Sequence, residues 1–370
     1  MTSSPVAAQD TDSGTNEPGG TGSGKTMRGL IKHHAGTGLR FVSDRPIPEP
    51  GPRDVRIRVT KAGICGTDRH IWEWDEWSAG RVPVGIITGH EFVGIIDKVG
   101  RAVTQFQPGQ RVSAEGHITK GEDYLSRTGN AHIASDTVIF GIDRDGCFAD
   151  HIIVPETNVW PVHPDIPDKV AAVLDPLGNA VHTVMAAGVS SKNVLISGVG
   201  IIGLMAVTVA KAAGAAKIFC TDINPPRLEL AKKLGACGAF DARDPGWIEE
   251  VRGQTYEGVD VLLEMSGAPS ALDQGFQTLR NGGTAALLGL PAKDVTFDFN
   301  SHIIFKGCTV LGINGRRMWD TWYQMERLLL SGHIELDDII THEFPMAEFE
   351  TAFETMISGE GIKVLLDMLA

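Results

Sequence analysis

From about residue 190 to 290 the chain alternates short apolar segments with segments of helical pattern. NVLISGVG is followed by IIGLMAVTVAKAAG and KIFCTD by PPRLELAKKLG, and VDVLLEMSG and GGTAALLGL continue the run. A strand, a helix and a second strand in succession favour parallel pairing with the helix crossing over one face, so this stretch predicts a parallel sheet. Residues 27 to about 175 have another texture. DVRIRVTKAGI, FVGIIDKVG, QRVSAEG and FADHIIVP are short, alternating or apolar, and punctuated by Gly and Pro, which predicts a β-rich region. Roughly the last fifty residues return to mixed helix and strand, and two domains of ordinary size are the expectation for 370 residues.

Hydrophobic residues at 42% and charged residues at 21% describe a globular chain. A net charge of -13, from 33 basic and 46 acidic side chains, repels a phosphate backbone, so nucleic acid is not an expected partner. Cysteines stand at 65, 147, 220, 237 and 308, an odd number without C-x-x-C, which argues against a disulfide framework and for a reducing cytoplasm. Cys147, Cys220, Cys237 and Cys308 lack spaced partners and read as inert core thiols. No secretory leader and no apolar run of membrane-spanning length is expected. GGTGSGKT, residues 19–26, matches the phosphate-loop pattern G-x-x-x-x-G-K-[ST]. Such a loop works only between a buried strand and a helix. Here the polar tract MTSSPVAAQDTDSGTNEP precedes it, and the strand-like MRGLIKHHAGTGLRFV follows. Residues 1–26 therefore read as a disordered tail, and nucleotide hydrolysis is the least favoured reading.

Gly198-Val199-Gly200-Ile201-Ile202-Gly203 follows the apolar strand NVLIS and opens a helix. The three glycines give the turn, the close backbone approach and the helix packing that a dinucleotide pyrophosphate needs. KIFCTD then ends at Asp222, whose carboxylate suits the two ribose hydroxyls of adenosine and repels a 2′-phosphate, so NAD is favoured over NADP. Arg227 stands close enough to pair with that carboxylate or stack on the adenine.

In the first half, GICGTDRH and TGHEF bring Cys65, His70, His90 and Glu91 together in one region. A catalytic zinc takes three protein ligands from thiolate, imidazole and carboxylate and keeps one position open. Cys65 and His90 supply two of these types, and either Glu91 or Asp175 of LDPLGNAVHT could supply the third. By themselves a lone cysteine and a lone histidine are more often core groups, so it is their combination with a dinucleotide motif that carries weight.

C-G-T-D-x-H, G-H-E and the downstream dinucleotide motif resemble the zinc-dependent medium-chain alcohol dehydrogenase superfamily. AGICGTDRHIWEWDEW, SAEGHIT, GCFAD, LDPLGNAVHT, TDINPPRLELAKKLG, LEMSGAP, LLGLPA, IIFKG and DIITHEF are similar to its L-threonine 3-dehydrogenase branch over residues 27–370. The resemblance implies an α/β protein with a GroES-like catalytic domain over 27–177, a doubly wound Rossmann domain binding NAD over 178–317, and a return to the first domain over 318–370. It makes Cys65, His90 and Glu91 zinc ligands, with Asp175 completing or exchanging at the metal. Thr67 and His70 match a proton relay, and His117 a position shaping the substrate pocket. On the cofactor side Ile202, Asp222, Arg227, Leu288, Gly289, Leu290, Ile313 and Asn314 match NAD-contacting positions. The implied reaction is oxidation of L-threonine to 2-amino-3-oxobutyrate by a cytoplasmic homotetramer, with a polyol, diol or amino-alcohol dehydrogenase as the alternative. His117, Glu115 and the cluster Trp72, Trp74 and Trp77 are candidates for holding an amino acid, although buried tryptophans usually serve packing.

One departure stands out. The family commonly holds a structural zinc on four cysteines in the lobe after EGHIT, and here those positions are Lys120, Asp123, Ser126 and Ala134. A closed zinc site needs its ligands outright, so one catalytic zinc per chain is expected and no structural zinc.

Overall fold

A computed structural model describes residues 24–370. The tail reading and most of GGTGSGKT lie outside the described residues, but the end of the motif does not: Thr26 opens a strand where a phosphate loop requires a helix.

The first region contains β1 (Thr26–Ile31), β2 (Arg40–Pro46), β3 (Asp54–Ile64), α1 (Gly66–Glu73), α2 (Glu76–Arg81), β4 (Glu91–Val99), β5 (Arg111–Ala114), β6 (His117–Ile118), α3 (Tyr124–Arg127), β7 (Val138–Ile139), β8 (His151–Pro155), β9 (Val159–Pro161) and α4 (Asp168–Ala171). The long helix α5 (Leu174–Ala187) leads into β10 (Asn193–Ser197), α6 (Ile201–Ala212), β11 (Lys217–Asp222), α7 (Pro225–Leu234), β12 (Gly238–Asp241), α8 (Trp247–Gly253), β13 (Val259–Glu264), α9 (Pro269–Thr278), β14 (Leu279–Leu287) and β15 (Thr309–Gly312). The chain ends with α10 (Asp320–Leu330), β16 (Ile340–Pro345), α11 (Phe349–Ser358) and β17 (Lys363–Asp367).

Strands β10 to β15 form one parallel sheet in the order β12-β11-β10-β13-β14-β15. The order reverses between β10 and β13, which opens a crevice at the carboxyl ends of those strands, where ligands of such sheets bind. Strands β3, β4, β5 and β9 build the other sheet, β8 pairs with β3, and β17 returns from the far end of the chain to lie antiparallel to β3 with β16 beside it. The return closes the hydrophobic core of the first sheet with Phe349, Ala352, Phe353 and Met368. A second core runs without a break from Val93 and Trp160 of the first sheet through α5 and α6 into β10, β13 and α10. Helix α5 is central to it, because Leu177, Ala180, Val181 and Val184 are wholly buried while Asp175, Asn179 and His182 keep partial exposure on the opposite stripe.

Residues 120–136 form a lobe joined to the first sheet by the β6/β7 pair. Each of the four positions that lack cysteine is tied by a hydrogen bond. Asp123 caps α3 by accepting from the Ser126 N–H at 2.8 Å and from its hydroxyl at 3.1 Å. Asp136 accepts from the Lys120 N–H at 3.1 Å, and Thr137 donates to the Ala134 carbonyl at 2.7 Å. His132 seals the lobe against α5, edge to face on His182 with ring centroids 5.4 Å apart. Of the four cysteines expected in the core, Cys147 and Cys220 are buried and Cys308 is half-buried, but Cys237 is exposed, because it follows α7 on the rim of the parallel sheet.

Burial holds the His132 imidazole down at about 4, helped by the positive potential of His182, His117 and Arg317 and opposed by Glu115. An unfolded histidine titrates near ~6.5. The lobe therefore keeps its full stability above that value and loses it as pH falls from ~6.5 toward 4, because protonation favours the open form. Amide exchange of residues 120–136, corrected for intrinsic rates, should accelerate over this window in the native protein and stay level in His132→Phe.

Candidate active site

Strand pairing assembles the metal-type residues. Gly63 of β3 is opposite Glu91 of β4, so Cys65, two residues on, comes to lie against His90, with Sγ 3.1 Å from Nε2. Cys65 is also the N-cap of α1: its sulfur accepts from the Thr67 N–H at 3.2 Å and its own N–H donates to Asp68 at 3.0 Å. The Asp68 carboxylate, 1% exposed, lies 4.0 Å from Nδ1 of His90, behind the face that meets the thiol. Ligand atoms of Cys65, Asp68 and His90 lie within 4.8 Å of one another, as do those of His90, Glu91 and Asp175. Burial pushes the Cys65 thiol and the Glu91 carboxyl up. Burial alone would lower His90, but the Cys65 sulfur and the Asp68 and Asp175 carboxylates outweigh it and raise the imidazole well above its usual value. Nδ1 of His90 has no hydrogen-bond partner, while Oε2 of Glu91 faces the Lys363 ammonium. A buried thiol, imidazole and two carboxylates converging on one cavity are the donor set that a tetrahedral zinc satisfies.

Two buried cations that sequence reasoning did not single out hold the carboxylates. Lys363 of β17 pairs with Glu91 and donates to the Ile64 carbonyl at 2.8 Å, both side chains being almost wholly buried. Arg316, 2% exposed, contacts Asp175 at 2.7 Å through Nη1 and Glu115 through Nε at 3.0 Å and Nη2 at 2.5 Å. Glu115 also accepts from the Trp322 indole at 2.8 Å and lies 2.8 Å from Nδ1 of His117. Coulombic attraction and these hydrogen bonds overcome the burial penalty and hold the Glu115 carboxyl far below the usual carboxylate range. Gly178 on α5 is the opening through which the guanidinium passes, since a Cβ there would stand 2.3 Å from Cδ of Arg316.

A cavity of about 330 Å³ joins the metal cluster to the crevice of the parallel sheet. Of the sequence-predicted residues, Cys65, Thr67, His90, Glu91, His117 and Asp175 line it from one side, and Ile202, Leu288, Leu290, Ile313 and Asn314 from the other. Gly198, Gly200, Gly203, Asp222, Arg227 and Gly289 lie outside its lining. At the turn, Gly198 has φ +87, and a Cβ on Gly203 would stand 2.1 Å from the Gly198 oxygen. Gly200 caps α6 with no side-chain hydrogen bond, and a Cβ there would meet nothing within 4 Å. Free helix amides facing open space make an anion cradle. Asp222 accepts from Val199 N–H at 2.8 Å and from Asn224 N–H at 2.9 Å, which brings its carboxylate onto the glycine turn.

His70 also lies outside the cavity lining. It sits three residues beyond Thr67 on the exposed end of α1, with Nδ1 2.6 Å from Asp75, whose other oxygen caps α2 by accepting from Ser78 N–H at 2.9 Å. The tryptophans serve packing: Trp72 stacks on Phe353 at 4.6 Å, Trp74 lies under Lys32 at 4.8 Å, and Trp77 meets His70 edge-on. Asp75, Asn179, Arg316 and Lys363 were missed from sequence because their partners are distant in the chain or their residue types have no motif. Asp75 in WDEW, five residues after His70, had the one readable spacing. A larger groove of about 650 Å³ around Met27, Arg45 and Arg144 contains none of the predicted residues.

Residues 51–165 match the alcohol dehydrogenase GroES-like domain and residues 202–331 the zinc-binding dehydrogenase domain. The chain is 45% identical over 344 residues to L-threonine 3-dehydrogenase of Chromobacterium violaceum, covering 92% of this chain and 99% of that one. It superposes on galactitol-1-phosphate dehydrogenase of Escherichia coli with TM-score 0.84 at 28% identity, covering 92% and 99% of the two chains. A protein described as a zinc-binding dehydrogenase of Sinorhizobium meliloti, bound to NADP, superposes with TM-score 0.84 at 28% identity, covering 93% and 99%.

Removing one member of a buried ion pair costs about 3–5 kcal/mol. Arg316→Met should lower unfolding stability by about that amount in urea titrations at neutral pH, and adding Glu115→Gln should restore part of the loss.

Proposed function

Because this chain belongs to the zinc-binding dehydrogenases, in their L-threonine 3-dehydrogenase branch, we propose that it oxidises the secondary hydroxyl of L-threonine to 2-amino-3-oxobutyrate with reduction of NAD. The observation carrying this reading is the single cavity shared by Cys65, His90, Glu91 and Asp175 on one wall and Ile202, Leu288 and Ile313 on the other. Bound between those ligands and in that crevice, zinc supplies a Lewis acid that polarises the hydroxyl, and the nicotinamide supplies the hydride acceptor. The polyol or diol alternative is less well supported, since a relative acting on threonine stands at 45% identity and a polyol-phosphate neighbour at 28%.

The chain's own residues bind, orient and move the proton. Apolar side chains of Ile139, Ile142, Ile201 and Ile313 narrow the cavity and exclude water from the reacting carbon. Thr67 inside the cavity and His70 at the exposed end of the same helix are one turn apart. The substrate proton passes to the Thr67 hydroxyl, which both accepts and donates, and then to His70. Asp75 fixes His70 with its proton on Nδ1 and leaves Nε2 free to receive. His117, anchored through Nδ1 on Glu115, presents its other nitrogen to the substrate carboxylate. Asp222 at the glycine turn supports NAD over NADP by repelling a 2′-phosphate.

One zinc per chain is part of the same proposal, supported by the thiol-free positions Lys120, Asp123, Ser126 and Ala134. A homo-oligomer, a tetramer by resemblance, is supported by β15, which among the described residues pairs with β14 alone and carries exposed Val310, and by exposed Phe299, Ile304 and Phe305 just before it in the chain. For localisation, no helix among the described residues is long and apolar enough to cross a membrane.

NADH formation with L-threonine should disappear when zinc is stripped and return when it is restored; turnover only on a diol or polyol would move the substrate and keep the chemistry. His70→Asn should lower turnover by up to about 10²-fold and displace the pH profile while zinc content holds, and an unchanged rate would sink the relay.

A further inference from the structure

Helix α5 presents Asp175 and Asn179, four residues apart, to the cleft, and His182, three residues further on, to the lobe. Asp175 and Asn179 both line the cavity, one turn apart. Oδ1 of Asn179 is buried and has no hydrogen-bond partner, although the residue's backbone carbonyl accepts from the Thr183 hydroxyl at 2.7 Å. Leaving a buried amide oxygen unpaired costs about 1–3 kcal/mol, and such an atom in a native structure calls for a missing donor. Among the described residues lining this cavity, Nδ1 of His90 is likewise without a partner, and Oε2 of Glu91 faces the Lys363 ammonium. Both belong to the metal cluster, so Asn179 supplies the one orphaned acceptor outside it.

We infer that Asn179 recognises the α-ammonium group of a β-hydroxy amino acid by accepting its hydrogen bond at Oδ1. The inference rests on the reaction proposed above and names a specificity contact within it. In such a substrate the amino group is on the carbon next to the carbinol. With the hydroxyl at the Cys65–His90–Asp175 end, the ammonium lies beside that end of α5. The nearby carboxylates are engaged: Asp175 by Arg316 at 2.7 Å, and Glu115 by Arg316, Trp322 and His117. A neutral amide oxygen can accept from the ammonium without adding another buried charge to a cluster that already contains several.

The competing donor in the same cavity is the carboxamide of the nicotinamide, and the test separates the two. Asn179→Leu keeps the side-chain shape and removes the acceptor, and Asn179→Asp keeps an acceptor. Steady-state kinetics with L-threonine are compared with inhibition by 3-hydroxybutyrate, which is threonine without its amino group, and with NADH binding by fluorescence. Zinc content and thermal unfolding confirm that each variant is folded. A hydrogen bond to a charged group contributes about 1.5–3 kcal/mol, so Asn179→Leu should lower kcat/KM for L-threonine by about 10- to 100-fold. Inhibition by 3-hydroxybutyrate and NADH affinity should stay at wild-type values, and Asn179→Asp, which keeps the acceptor but adds a charge one turn from Asp175, should lose less threonine activity than Asn179→Leu. Equal losses for threonine and its deamino analogue, or a loss confined to NADH affinity, would overturn the assignment while wild-type threonine turnover keeps the reaction intact. Absence of threonine turnover in the wild type, with turnover of a diol, would overturn both.

Discussion

Arg316 is the joint on which the site depends. Its guanidinium is buried where the two sheets meet and holds carboxylates from separate parts of the chain, Glu115 after β5 and Asp175 at the start of α5. Glu115 in turn fixes Trp322 of α10 and His117. Removing this cation would leave the buried Glu115 and the partly exposed Asp175 without their counter-charge, at a cost of about 3–5 kcal/mol. Buried ion pairs add little net stability compared with apolar packing of the same volume. Their contribution here is geometric: the network sets where Asp175 and His117 stand relative to Cys65 and His90. Lys363 does the same for Glu91 from the C-terminal strand, so the last residues of the chain shape a cluster begun at residue 65.

Helix α5 turns this arrangement into a reaction chamber. One stripe is buried in the core that runs through both sheets, and the opposite stripe faces the cleft. Along that exposed stripe lie a proposed metal ligand at 175, an unpaired amide at 179 and the histidine that supports the lobe at 182. Asp175 cannot move without moving its neighbours on the stripe, because all three ride on one rigid element. The thiol-free lobe thereby meets the site's helix through His132 and His182. Hydrogen bonds hold the lobe at 120, 123, 126 and 134, the one at Lys120 exposed and the others part-buried.

Much of the site was legible because its chemistry uses rare residue types at short, fixed spacings. The glycine turn at 198–203 could be read from its flanking strand and helix, and the structure gives it an uncapped helix start facing open space. Cys65 and His90 were readable together, with Glu91 and Asp175 left open for a third ligand, and β3 and β4, neighbours in sequence, pair in register to bring Cys65, His90 and Glu91 into one place. Asp175 was readable as an alternative, being the acidic residue before the switch to α/β texture. Of the two residues proposed as a relay, Thr67 lies in the cavity, whereas His70 turns outward to Asp75, an orientation set by the cap of α2 rather than by spacing from Cys65. Cys237 was misjudged because apolar neighbours in a sequence do not reveal the rim of a sheet.

By itself, the sequence determined the parallel sheet, its dinucleotide turn, the metal-type residues and the absence of thiols from residues 120–136. Each follows from local periodicity or from residue types within a few positions of one another. Tertiary structure alone decided which cations neutralise the buried carboxylates, which face of α5 meets the cleft, and which amide oxygen is left without a donor. Arg316 and Glu115 are 201 residues apart and Lys363 and Ile64 are 299 apart. No local pattern encodes such pairs, because compensation of a buried charge is set by distance in space after the chain has returned on itself.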